Sequence, residues 1–180
     1  NSKKAENFLN KSLKINEEIY EFPNSLQATI LNNLGTLYED LGNSKKAENF
    51  LKKSLKKSIK NEDISNSASS SNNLAWIYIK EGQFNKAEIL LKKALKNAEK
   101  FYGYVNPYSS RALNALGFLY SENGDYAKSY SNFKKGITLN SILIQNQAAF
   151  LPISKRSIYV DSFDYSFNRI YNKNSKSPYK

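Results

Sequence analysis

The 180-residue sequence contains no cysteine, no histidine and no methionine. Without cysteine there is no disulfide, no thiolate metal site and no cysteine nucleophile. Without histidine the commonest general base and the commonest metal ligand are missing too. A first residue that is Asn1 rather than Met makes a piece of a longer protein the expectation. Long apolar runs are also lacking: Ile142-Leu143-Ile144 falls far short of the ~18 residues of a membrane span. The first residues do not read as a charged-then-apolar leader, and a cytoplasmic location is the matching expectation. No glycine-rich phosphate loop or metal-ligand spacing occurs. The carboxylate neighbours Glu17-Glu18, Glu39-Asp40 and Glu62-Asp63 diverge by about 100° on a helix and cannot share a proton or a substrate. Asp161 and Asp164 could meet across one turn, but a lone pair there reads as surface. Neither catalysis nor a cofactor nor a bound metal is expected.

What is present is positive charge and repetition. Lys and Arg number 27 against 16 Asp and Glu, a net charge of +11, with an isoelectric point near 9.6 and mean hydropathy −0.63. Such a balance raises a polyanion as partner. Only Arg111, Arg156 and Arg169 are arginines, however, and Arg is the residue that reads bases and phosphates bidentately. A general bias toward Lys, alongside abundant Asn, Ile, Tyr and Ser, is the plainer source of the charge.

The string NSKKAENFL occurs at 1–9 and again at 43–51. Further columns keep the same offsets of 40 and 42: Leu34, Leu74 and Leu116; Gly35, Ala75 and Gly117; Tyr38, Tyr78 and Tyr120; Gly42, Gly82 and Gly124; Ala47, Ala87 and Ser129. Within a unit, Leu31, Leu34, Gly35, Tyr38 and Leu41 form the stripe of an amphipathic helix. Gly42 then suits a left-handed helix end, and Asn43 or Ser44 can cap the next helix. That helix carries Ala47, Phe50, Leu51, Ser54, Leu55 and Ile59 on one face. Small residues in fixed columns let the paired helices approach closely, so the expected architecture is a stack of antiparallel helix pairs.

Leu-Gly-x-x-Tyr, Gly four residues later, Ala five later and Leu or Phe four after that resembles the tetratricopeptide repeat. The 40–42-residue period, with Leu31-Asn32-Asn33-Leu34-Gly35 and Tyr102-Gly103 before Asn106-Pro107, is similar to the kinesin-light-chain variety. The resemblance implies an all-α, right-handed α-solenoid over residues 1–140, made of the second helix of one repeat and three full repeats. Ser71, Ser129 and Gly136 depart from the pattern and should loosen local packing. Residues 141–173 break the period at Leu151-Pro152 and fit linker and capping helices, with an aromatic-faced helix over 155–172 covering the end of the solenoid. Residues 174–180 are expected to be disordered. A less specific likeness, carried by Leu143-Ile144-Gln145, Phe150-Leu151-Pro152, Ser154, Arg156, Phe163, Tyr165 and Phe167, is to the segment that joins such repeats to a caspase-like CHAT peptidase. It implies a catalytic domain downstream.

In such stacks the first helices of the repeats line the concave surface. The residues opposite the core stripe are then Thr29, Asn32, Asn33, Thr36, Glu39 and Asp40; Ser69, Asn72, Asn73, Trp76, Ile79 and Lys80; and Arg111, Asn114, Ala115, Phe118, Ser121 and Glu122. An Asn column at 32, 72 and 114, partly doubled at 33 and 73, offers amide donors and acceptors matched to a peptide main chain. The family resemblance implies the same use; the plain alternative is that these amides serve helix ends or water. Trp76 and Phe118 share a column and suit binding anchors, or else pack between adjacent helices. The expected site for a protein or peptide segment is Asn32, Asn33, Thr36, Asn72, Asn73, Trp76, Arg111, Asn114 and Phe118. Tyr38, Tyr78 and Tyr120 are core by periodicity. Aligned lysines on the second helices, Lys52, Lys53, Lys56, Lys92, Lys93, Lys96, Lys134 and Lys135, ordinarily form a solvated surface, and offer the alternative of gripping nucleic acid or another polyanion. The expected function is a non-catalytic interaction scaffold. The rivals are a sensing arm for a CHAT peptidase and the basic scaffold, and nucleic acid is the less favoured partner. Oligomeric state stays open.

Overall fold

The computed structural model describes residues 2–20 and 24–148. The expected helix over 155–172 and the tail after it lie outside the described residues, as do most of the positions behind the CHAT likeness. The chain divides into two compact units, Asn1–Leu139 and Asn140–Lys180. The described residues form seven helices: α1 Ser2–Ile19, α2 Ser25–Asp40, α3 Ser44–Lys60, α4 Ile64–Lys80, α5 Phe84–Tyr102, α6 Pro107–Glu122 and α7 Tyr126–Ala148. Thus α1 is a second helix, and α2/α3, α4/α5 and α6/α7 are the three full pairs. The fold is an all-α repeat solenoid.

The helix ends follow from the repeated turn residues. After α2 the backbone turns left-handed at Gly42 (φ 73°). The Gly42 amide donates to the Glu39 carbonyl and the Asn43 amide to the Tyr38 carbonyl, at 2.9 and 2.8 Å, which satisfies two carbonyls that the helix leaves orphaned. The same pair of bonds recurs at Gly82-Gln83 onto Ile79 and Tyr78, and at Gly124-Asp125 onto Ser121 and Tyr120. The next helix starts at once: Asn43 caps α3 by accepting from the Lys46 amide, as Asp125 accepts from Lys128. These three-residue links force each pair to run antiparallel.

Packing sorts the columns as the periodicity predicts. Leu31, Leu34, Leu74, Ala75, Leu116, Ala47, Leu51, Ala87, Leu91 and the three repeat tyrosines are all buried. A Cβ on Gly35 would come within 2.5 Å of Leu51 Cγ, and one on Gly117 within 2.8 Å of the Phe133 ring, so those glycines mark where paired helices approach most closely. Three residues sit differently from the sequence pattern. Leu41 and Ile59 are exposed, at 48% and 54%; Leu41 is the C-cap just past the end of α2 and Ile59 lies in the last turn of α3. Ile79 is buried at 4% rather than facing a groove, because α4 is flanked on both sides by other first helices. Ser71 is itself buried, at 4%.

First helices approach one another closely, α2 with α4 and α4 with α6, whereas the backbones of α1 and α3, and of α3 and α5, stay further apart. A stack whose first helices touch while its second helices splay curves with the first helices inside.

Candidate functional site

The inner face is built from α2, α4 and α6, and its side chains form seams between successive first helices. Between α2 and α4, Asn73 Nδ2 donates to Asn32 Oδ1 at 3.1 Å and to Thr36 Oγ1 at 3.3 Å. Two helical turns beyond the Asn73–Asn32 bond, Lys80 Nζ meets Glu39 Oε1 at 2.5 Å. At the opposite end, Thr29 Oγ1 donates to Asn66 Oδ1 at 3.2 Å. Between α4 and α6 the seam is apolar: Trp76 and Phe118 stack with ring centroids 4.6 Å apart and planes tilted by 36°. Trp76 nevertheless remains 38% exposed. The aromatic pair therefore packs between first helices and also presents the larger ring to solvent.

The two Asn columns have separated. Asn33 is exposed, and Asn32, Asn73 and Asn114 are half-buried. Asn72 is only 6% exposed; its amide nitrogen donates back to the Ala68 carbonyl at 3.0 Å, and its Oδ1 has no hydrogen-bond partner. The repeat register explains this orphan. Asn32 receives its bond from Asn73 on the next first helix, and the residue standing in that relation to Asn72 is Ala115, which has no donor. Asn114 lies over Gly136 of its own pair, where any Cβ would collide with the Asn114 carboxamide. Arg111 and Thr36 are exposed and Phe118 half-buried. A buried polar link runs behind this face. Ser54 Oγ donates to the Ala28 carbonyl at 2.6 Å and lies 2.7 Å from Ser70 Oγ, which is 3.3 Å from Asn32 Oδ1.

One recurring constellation is absent from the columns singled out above. Tyr38, Tyr78 and Tyr120 each donate their hydroxyl to a glutamate of the preceding second helix: Glu6 at 2.5 Å, Glu48 at 3.0 Å and Glu88 at 2.8 Å. A lysine lies over each ring, Lys46, Lys86 and Lys128, at 4.8, 5.7 and 5.3 Å. The signal was in the letters, since Glu6, Glu48 and Glu88 recur at the repeat's own offsets, 42 and then 40, one unit ahead of the tyrosines. The Lys52 ammonium holds Glu48 below its ordinary carboxylate value, with the Tyr78 hydroxyl assisting against burial. Lys92 and then Tyr120 do the same for Glu88. Burial first, and the glutamate bond second, push the Tyr78 and Tyr120 phenols up.

The outer lysines Lys52, Lys53, Lys56, Lys92, Lys93, Lys96, Lys134 and Lys135 are all exposed. Lys52 pairs with Glu48 at 2.7 Å and Lys92 with Glu88 at 2.5 Å. Among the described residues no group of His, Cys, Asp and Glu could hold a metal, and no helix is long and apolar enough to cross a membrane.

Stacked two-helix units with small-residue columns and a curved inner face define a helical-repeat solenoid. The tetratricopeptide repeat family matches residues 1–58 and 66–140, and the chain belongs to it. Repeats of this family are generally scaffolds for protein–protein interaction. Among solved structures, the chain is similar to BtubC (BKLC) from P. vanneervenii, with a TM-score of 0.68 and 24% identity over 79% of this chain and 57% of that one. It is also similar to a kinesin-light-chain-type protein from Podosopora anserina with nearly identical TPR-like repeats. There the TM-score is 0.62 and the identity 17%, over 79% of this chain and 68% of that one. The chain thus spans little more than half the length of BtubC, and at these identities the likeness is one of fold. No curated protein sequence matches the chain. The family match ends at residue 140, before the positions that carry the CHAT likeness.

Proposed function

We propose that the chain is a non-catalytic scaffold whose inner face binds an extended segment of another protein. The observation that carries this reading is Trp76, a large aromatic side chain 38% exposed on the side where first helices converge. Rings of this kind bury much area with few rotors to freeze. Also on the first helices, Asn33 and Asn73 supply exposed or half-exposed amides, which can pair with a peptide main chain without regard to its side chains. Asn32, Asn72 and Asn114 then act mainly as the wall that holds these groups in place. Arg111, Thr36 and Phe118 complete the face, and Glu39 with Lys80 leaves it mixed in sign.

The test is selection of binding peptides from a displayed random library, followed by affinity measurement on a variant carrying Asn33→Ala and Trp76→Ala. Neither residue is buried, so helicity by circular dichroism should be unchanged, and affinity should fall at least tenfold. Undiminished affinity in that variant would remove the inner face as the site.

A further inference from the structure

The two faces of the repeat stack differ in charge as well as curvature. The second helices α1, α3, α5 and α7 carry 19 lysines and six carboxylates, a net +13; the first helices α2, α4 and α6 carry two cations and three carboxylates, a net −1. Three of the six carboxylates, Glu6, Glu48 and Glu88, are drawn inward to the repeat tyrosines. Lys45, Lys53, Lys56, Lys93, Lys96, Lys134 and Lys135 are exposed and have no carboxylate within ion-pair distance among the described residues. Lys53, Lys93 and Lys135 fall in one repeat column and Lys56 and Lys96 in another, so the charge runs in rows across the stack. Along α3, from Lys45 to Lys60, it also covers about 22 Å of helix.

We propose that this outer face binds the phosphate backbone of double-stranded nucleic acid without regard to sequence. The residue types fit that ligand in particular. Lysine ammoniums act as point charges that neutralise phosphates, whereas base reading relies on the forked donors of Arg. The one described arginine, Arg111, lies on α6, an inner helix. The exposed large apolar side chains on the outer helices α3 and α5 are Ile59, Ile89, Phe101 and Tyr102. Phe101 and Tyr102 close α5, Tyr126 opens α7 and Phe8 lies on α1, and Tyr130 on α7 is the one exposed ring within a turn of a row lysine, Lys134. The rows therefore carry no series of rings on which successive unpaired bases could stack. Ile59 and Ile89 stand ten positions apart in repeat register, about 15 Å along the helix axis. They therefore make no continuous patch to insert into a bilayer, and a surface that curves outward meets a flat membrane only along a narrow line. The site is separate from the peptide-binding face, so the two proposals fail independently.

The experiment is fluorescence anisotropy of a labelled random-sequence DNA duplex titrated with the wild-type chain and with a Lys53→Gln, Lys93→Gln, Lys135→Gln variant. The expected result is binding at 50 mM salt that weakens roughly a thousandfold by 200 mM, a log–log slope near −5, with the variant's slope shallower by about 2 to 3. Far-ultraviolet circular dichroism and the midpoint of a urea melt should be the same in both proteins, which shows that the variant is folded. The proposal is overturned by any of three results: no binding at 50 mM salt, an unchanged slope in the variant, or equal or tighter binding to polyglutamate or to phosphatidylserine vesicles.

Discussion

At the scale of single residues, the repeat turn shows what the backbone demands. The turns after α2, α4 and α6 place glycine at the left-handed position, but the corresponding turn after α3 places Glu62 there, at φ 54°. It makes the same pair of bonds, from Glu62 to the Ile59 carbonyl and from Asp63 to the Ser58 carbonyl. A side chain in this conformation costs about 1–2 kcal/mol, and glycine's extra freedom in the unfolded chain offsets up to about 1 of that. Glu62→Gly should therefore stabilise the protein by about 0.5–1 kcal/mol in a urea melt, and a destabilised variant would contradict the account of the turn. The orphaned Asn72 Oδ1 supplies a second prediction. An unsatisfied buried acceptor costs about 1–3 kcal/mol, while Asn in place of Ala in a helix loses roughly 0.6. Ala115→Asn, which restores the donor that Asn73 provides to Asn32, should gain about 1 kcal/mol; Ala115→Leu, with no donor, should not.

At the scale of helices, adjacent repeats are joined by the Tyr–Glu bonds as well as by apolar packing. The folded state holds Glu48 and Glu88 below the ordinary carboxylate value of 4.5. It therefore binds fewer protons than the unfolded chain near and below that pH. The contribution is complete above pH 4.5 and is lost as pH falls through the folded values. The Tyr78 and Tyr120 phenols are raised above 10.0; their contribution is present below pH 10 and is lost as pH rises through the folded values. Tyr78→Phe with Tyr120→Phe should lower stability by about 2 kcal/mol at pH 7, and the gap from wild type should narrow toward pH 3. A gap that stays constant from pH 7 to pH 3 would show that the glutamates are not the partners that matter. The helix pairs themselves were legible in the sequence because Leu34, Gly35, Tyr38 and Gly42 recur in step with their counterparts. The division of labour between Asn72 and Asn73 was not. Both lie opposite the core stripe, and only the presence of first helices on both sides of α4 decides which amide is covered. Ile79 is buried for the same reason, since a pattern read along one helix does not record what lies beside it.

At the scale of the whole repeat unit, the sequence separates two surfaces with different chemistry. The Lys rows were visible as aligned columns, but their contrast with the inner face emerges only when charge is assigned helix by helix and Glu6, Glu48 and Glu88 are found turned toward tyrosines. The inner face has little net charge, one exposed aromatic ring and a row of amides. The central claim is that a guest segment lies there, and the chain carries its own reporter, because Trp76 is the only tryptophan in the sequence. Titrating a library-selected peptide while recording tryptophan emission needs no label. The account predicts a blue shift or quenching that saturates at the dissociation constant found by calorimetry and persists in 500 mM salt. Emission that stays unchanged while calorimetry shows the peptide fully bound would contradict it.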